Sequence, residues 1–173
     1  ISDKKAQKEF TEAGIKLQTT VKKINEFPLH YAQTGNDTMP TLLFVHGTPG
    51  SWDAFKSYLK NKELLQNYRI ISVDRPGFGY SDFGNAMNLT QQTEIIAAWM
   101  DSINNNKPFI IIGHSLGGPM AVKLAAARPQ YTKAIVLLAP SLDPALEKPE
   151  KWRPVLFKTP LNYFLPGALR PSN

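Results

Sequence analysis

Three segments of the chain hold residue types that can do chemistry at a meaningful spacing. The sharpest is Gly113-His114-Ser115-Leu116-Gly117-Gly118, a G-x-S-x-G pattern. It directly follows the apolar run FIII and directly precedes a helix-forming stretch that begins near Pro119. A strand that turns abruptly into a helix strains the serine and projects its hydroxyl beyond the sheet. Gly113 and Gly117 suit so tight a turn, because a Cβ at either position would clash. The following helix aims its unpaired N–H groups at the point where negative charge would develop. The competing structural reading is a Gly-rich turn that merely closes a strand–helix corner. A phosphate loop does not fit, since neither G-x-x-x-x-G-K-[ST] nor G-x-G-x-x-G occurs.

The second segment is His46-Gly47-Thr48-Pro49-Gly50, at the end of the apolar run TLLFV. Neighbouring strand ends of an open parallel sheet converge on one crevice. A Gly-flanked turn there can aim a backbone N–H at the same point as Ser115. The third, Asp74-Arg75-Pro76-Gly77-Phe78-Gly79-Tyr80-Ser81-Asp82, ends the run RIISV. It reads as a long Gly-rich loop whose Asp74 and Arg75 fix the backbone, Asp74 being structural rather than catalytic.

Four short, nearly wholly apolar runs must position these loops: Thr41–Val45, Arg69–Val73, Phe109–Ile112 and Ala134–Leu138. Runs without polar alternation predict strands buried on both faces, hence a parallel sheet. Helical spacing fills the intervals at Trp52–Leu65, at Thr90–Ile103 with Thr90 as the N-cap, and at Pro119–Arg128. Strand–helix–strand alternation predicts an α/β fold with an open, mostly parallel sheet and flanking helices. Val21–Ala32 alternates like a strand broken by Pro28, and Gly35-Asn36-Asp37 marks a turn. Residues 1–26 read as a polar amino-terminal arm or helix, and 27–143 as the core. Residues 144–173, with a proline every few positions and aromatic Trp152, Phe157, Tyr163 and Phe164, read as the start of a helical cap or lid.

Composition narrows the classes. With 173 residues and 42% hydrophobic content, one domain with a sizeable core is expected. No apolar run approaches the roughly 18 residues that span a bilayer. The net charge of +6 is carried at the ends. Residues 1–26 hold +2, residues 145–173 hold +3, and the long middle only +1. That distribution fits a solvated surface and no nucleic-acid face. With no Cys and three histidines lacking ligand spacing, neither a disulfide framework nor a metal site is expected, and no cofactor motif is present. Cysteine usage suits cytoplasm or an exported, envelope location equally.

The segments HGTPGSWDAF, DRPGFGYSD and GHSLGG followed by LLAP, in this order, resemble the α/β-hydrolase superfamily. They are most similar to its esterase, lipase and peptidase-like branch, which also includes epoxide hydrolases and haloalkane dehalogenases. The resemblance covers roughly residues 27–144. It implies Ser115 as nucleophile, with the backbone N–H groups of Thr48 and Leu116 forming the oxyanion hole. His114 would then be the variable residue inside the motif, and His46 would stabilise its own turn. Epoxide hydrolases and haloalkane dehalogenases carry Asp at the nucleophile position, so a serine there implies acyl transfer through a covalent ester. The implied substrate is a small ester or amide with an apolar group.

The chain departs from the family order of Ser, then acid, then His. His30, His46 and His114 all precede Ser115, and the acids that follow it are Asp143, Glu147 and Glu150. Asp143, just beyond AIVLL, is the candidate acid; as Asp143-Pro144 it also reads as a cap or turn. The expectation is an amino-terminal portion of a longer hydrolase, without the carboxy-terminal strands that carry the base and inactive by itself. The alternative is an inert binding module on the same fold.

Overall fold

The computed structural model describes residues 2–81 and 87–143. The cap expected at 144–173 therefore lies outside the described residues. Among the described residues, twelve short stretches of regular structure build one six-stranded sheet with helices on both faces. Helix α1 (Asp3–Glu12) leads into β1 (Gln18–Ile24), β2 (Phe27–Thr34) and β3 (Thr41–Val45). A 3-10 turn (Trp52–Phe55), α2 (Lys56–Leu59) and α3 (Lys62–Leu65) connect to β4 (Arg69–Val73). Then come α4 (Leu89–Ile103), β5 (Phe109–His114), α5 (Gly117–Ala127) and β6 (Thr132–Leu138). The strand order is β1-β2-β4-β3-β5-β6. β1, β2 and β4 pair antiparallel, and β4, β3, β5 and β6 pair parallel. This is the expected α/β architecture.

The continuous apolar runs are explained by the two cores. In β3, Leu43 and Val45 face α4 and α5, packing with Trp99, Met100, Met120 and Leu124. Leu42 and Phe44 face the opposite side, packing with Phe10, Trp52, Phe55 and Leu59. Every residue of β3 and β4 is consequently buried. β6 departs from the expectation of burial on both faces: it is the edge strand of the described sheet, and Ile135 and Val136 are 39% and 42% exposed.

Other differences are local. The stretch read as one strand broken by Pro28 is a hairpin, since Asn25 and Glu26 take φ of +47° and +66° and turn the chain between β1 and β2. Two positive φ values in a two-residue loop match the right-handed twist of paired strands. Pro28 lies within β2, opposite Lys23. The sheet thus begins at residue 18, before the core boundary drawn at 27, and α1 buries Ala6 and Phe10 in it. Trp52–Leu65 is three short pieces instead of one helix. The Asn61 side chain accepts from the N–H groups of Glu63 and Leu64 (3.0 and 3.1 Å), which starts a new helix there. The N-cap of α4 is Asn88 in place of Thr90. Asn88 and Gln91 exchange side chain–backbone bonds of 3.0 and 2.9 Å in a capping box.

Candidate active site

Ser115 stands between β5 and α5 with φ of +52°, in the left-handed region that a non-glycine residue enters only when its surroundings hold it there. Three backbone bonds do so. Ser115 N–H donates to Leu138 O at 3.1 Å, and Ser115 O accepts from Gly118 N–H at 2.8 Å and Ser141 N–H at 3.1 Å. The glycines are required by contact. A Cβ on Gly113 would lie 2.2 Å from Gly117 O, and one on Gly117 would lie 2.1 Å from Val45 O. One on Gly118 would lie 2.5 Å from Pro140 Cβ. The turn is closed by the ends of β3 and β6 as much as by its own residues.

The loop after β3 meets Ser115 directly. A Cβ on Gly47 would stand 2.7 Å from Ser115 Cβ and 3.3 Å from its Oγ, so the missing side chain lets the two loops touch. His46 anchors this loop from within. Its Nε2 accepts from Arg75 N–H at 3.1 Å, so the ring proton sits on Nδ1, which donates to Gly47 O at 2.7 Å. Burial, reinforced by the Arg75 charge, pushes its pKa down to about 4, so the ring is neutral at pH 7. Thr48 follows, half-buried, with its hydroxyl accepting from Arg75 Nη2 at 2.8 Å. Among the described residues, the N–H groups of Thr48 and Leu116 donate to no backbone carbonyl.

Asp74 ends β4 as a fully buried hub. Its Oδ1 accepts from Trp52 N–H at 2.6 Å, and its Oδ2 from His30 Nδ1 at 2.7 Å and Tyr80 N–H at 2.9 Å. One carboxylate thus ties β2, the loop after β3 and the loop after β4. His30 Nε2 also lies 3.4 Å from Asp3 Oδ2. The three bonds that Asp74 accepts all go to groups of the scaffold, in line with its structural reading.

The structure brings Ser115, Leu116 and the Gly47-Thr48 turn together. Asp143 is exposed, five residues past the end of β6. His30 and His46 are buried, His46 with both ring nitrogens hydrogen-bonded and His30 with Nδ1 bonded to Asp74 but Nε2 without a hydrogen-bond partner, and His114 is exposed. Ser141 was not anticipated; its Oγ is 3.4 Å from Ser115 Oγ. Nothing in the sequence distinguishes it from any serine after a strand, and only the return of β6 beside β5 brings it here. His30 was likewise silent, since its partner Asp74 lies two strands away in sequence. Among the described residues no group of His, Asp and Glu could hold a metal ion, and no helix is long and apolar enough to cross a membrane.

Known proteins resemble this chain in sequence and fold. The family model for the alpha/beta hydrolase fold matches residues 40–166. Epoxide hydrolase 1 of Caenorhabditis elegans is 29% identical over 117 residues, covering 66% of this chain and 28% of the relative. A candidate esterase/lipase of Haemophilus influenzae is 27% identical over 129 residues, covering 75% of this chain and 43% of the relative. The solved structure of a candidate lipase from Acinetobacter baumannii superposes with a TM-score of 0.74 at 28% identity, covering 94% of this chain and 54% of that one. The chain therefore spans less than half the length of these two curated relatives. Its sheet, its matched residues and its relatives agree: the chain belongs to the α/β-hydrolase-fold family.

Proposed function

We propose that the protein is a serine hydrolase that cleaves a small ester or amide through a covalent acyl-enzyme on Ser115. The observation that carries this is Ser115 held at φ +52° between β5 and α5, with Gly47 packed against it. Holding a serine in that conformation costs roughly 1–3 kcal/mol, and such strain concentrates at functional sites. Esterase- and lipase-like relatives support the same reading.

In this reaction Ser115 Oγ attacks the substrate carbonyl carbon as its proton passes to a general base. The carbonyl electron pair moves onto oxygen, where the N–H groups of Thr48 and Leu116 receive it. Collapse expels the alcohol or amine, which takes the proton back from the base, and water then hydrolyses the Ser115 ester. In this reading the base is none of the three histidines: His30 and His46 are buried, His46 has both ring nitrogens bonded to Gly47 O and Arg75 N–H, and among the described residues the side chain that meets Ser115 Oγ is Ser141, at 3.4 Å. Asp143 is the candidate acid, and the base is a group that the described residues do not bring to Ser115.

The test treats the full gene product with a fluorophosphonate and maps the adduct by mass spectrometry. Labelling at Ser115, abolished in Ser115→Ala with the fold intact, is the expected result. Labelling elsewhere, or undiminished in Ser115→Ala, overturns the assignment. A folded protein that takes no label would be the inert binding module instead.

A further inference from the structure

Arg75 is 3% exposed, yet among the described residues no carboxylate pairs with its guanidinium. Its Nε is buried without a hydrogen-bond partner. Its Nη2 donates to Thr48 Oγ1 at 2.8 Å, and the guanidinium lies 4.4 Å above the Phe78 ring centroid. Phe78 in turn meets the His46 ring edge-on at 5.2 Å, and the Arg75 N–H donates to that same ring. One residue therefore grips the Gly47-Thr48 turn at two points, through its backbone at His46 and through its side chain at Thr48.

A buried cation held this way is a poor stabilising device. Desolvation disfavours the charged form, and here it pulls the Arg75 pKa down to about 10. Burying a charge without a counter-charge is costly, and replacing buried ionic groups with apolar ones of similar volume is often neutral or stabilising. What the guanidinium supplies in return is a fixed fork on the hydroxyl of a single residue.

We infer that Arg75 is a positioning residue for the oxyanion hole, fixing the Thr48 turn through the Thr48 hydroxyl so that its N–H is aimed before substrate arrives. This rests on the serine-hydrolase reading above. It makes the Thr48 side chain functional through Arg75, although the side chain itself touches no reacting atom. Catalysis by fixed dipoles depends on their not having to reorganise as charge develops.

The experiment compares Arg75→Met, Thr48→Val, Thr48→Ser and the Arg75→Met/Thr48→Val double variant in the full gene product. Each is measured for thermal stability, for the rate of fluorophosphonate labelling at Ser115, and for kcat and KM on p-nitrophenyl butyrate. Deleting an oxyanion donor typically costs about 100- to 1000-fold, and misaiming one should cost less. Arg75→Met and Thr48→Val should each slow labelling and kcat by about tenfold with KM little changed. The double variant should be no slower than either single one, because both remove the same contact. Thr48→Ser, which keeps the hydroxyl, should lose clearly less than Thr48→Val. Arg75→Met should melt no lower than the parent, which a purely structural arginine would not allow.

Multiplying losses in the double variant, a change confined to KM, or a drop in melting temperature with unchanged labelling would each overturn the inference. If Ser115 takes no label in the parent, the serine-hydrolase reading is what fails. If Ser115 is labelled in the parent and all variants label equally fast, this inference alone fails.

Discussion

Replacing Asp74 by Asn tests how the site loops are held. The carboxylate accepts three donors on two oxygens: Trp52 N–H on Oδ1, and His30 Nδ1 and Tyr80 N–H on Oδ2. Asparagine offers one oxygen and one NH2. With its oxygen toward Trp52, the amide nitrogen faces Tyr80 N–H. In the flipped orientation it faces Trp52 N–H. Either way one buried backbone donor confronts another, which costs about 1–3 kcal/mol. The surviving bonds also fall from charge-assisted to neutral strength, roughly 1 kcal/mol each. The sum is about 3 kcal/mol, and Asp74→Ala should be at least as damaging. Equilibrium urea unfolding at pH 7, followed by tryptophan fluorescence, measures it, with an unchanged m-value confirming the same unfolded state. The labelling rate of Ser115 per folded molecule should stay within a few-fold of the parent. A stability loss under 1 kcal/mol would refute the hub. A collapse of labelling in a fully folded Asp74→Asn protein would make Asp74 part of the chemistry.

Gly117→Ala should abolish soluble expression or the labelling of Ser115, because the new Cβ lands 2.1 Å from Val45 O, backbone that cannot step aside; normal yield and labelling would contradict that packing. Asn88→Ala should cost about 1 kcal/mol in urea unfolding by deleting the α4 capping box, and Thr90→Ala much less. His46 carries a pH signature. Its folded pKa of about 4 lies below its ordinary 6.5, so the unfolded chain holds the extra proton between those values. Stability therefore rises with pH across that window and is complete above 6.5. About 2 kcal/mol should disappear between pH 7 and pH 5 on this account, and His46→Asn should lack that component; an identical slope in both proteins would exclude it.

The strands were legible because burial on both faces leaves no polar alternation to misread, as in Thr41–Val45. The turn at Ser115 was legible because a Cβ on Gly113 or Gly117 would lie just over 2 Å from a backbone oxygen, which only glycine avoids. Where two side chains compete for the same backbone, local reading fell short. Asn61 interrupts an apolar pattern that would suit one helix, and Asn88 outcompetes Thr90 because Gln91 returns its bond. The edge exposure of Ile135 is a property of neighbours, not of the run AIVLL. Contacts across the sheet, such as His30 to Asp74 and Arg75 to Thr48, join residues whose spacing carries no periodic signal.

The strand order has a kinetic consequence. β1 and β2 meet across a two-residue turn and can pair within microseconds, as hairpins do. β3 must wait for residue 69 on one side and residue 109 on the other. Such non-local parallel pairings are slow, because chain closure precedes any reward. The glycines under Ser115 lean on Val45 and Pro140, so the reactive backbone geometry exists only after β3, β5 and β6 have docked. A collapsed chain with most of its helices formed would still present an ordinary, relaxed serine. Labelling of Ser115 during refolding would then lag behind the recovery of secondary structure. A count of labelled sites would count molecules that had finished folding, not molecules that were merely compact.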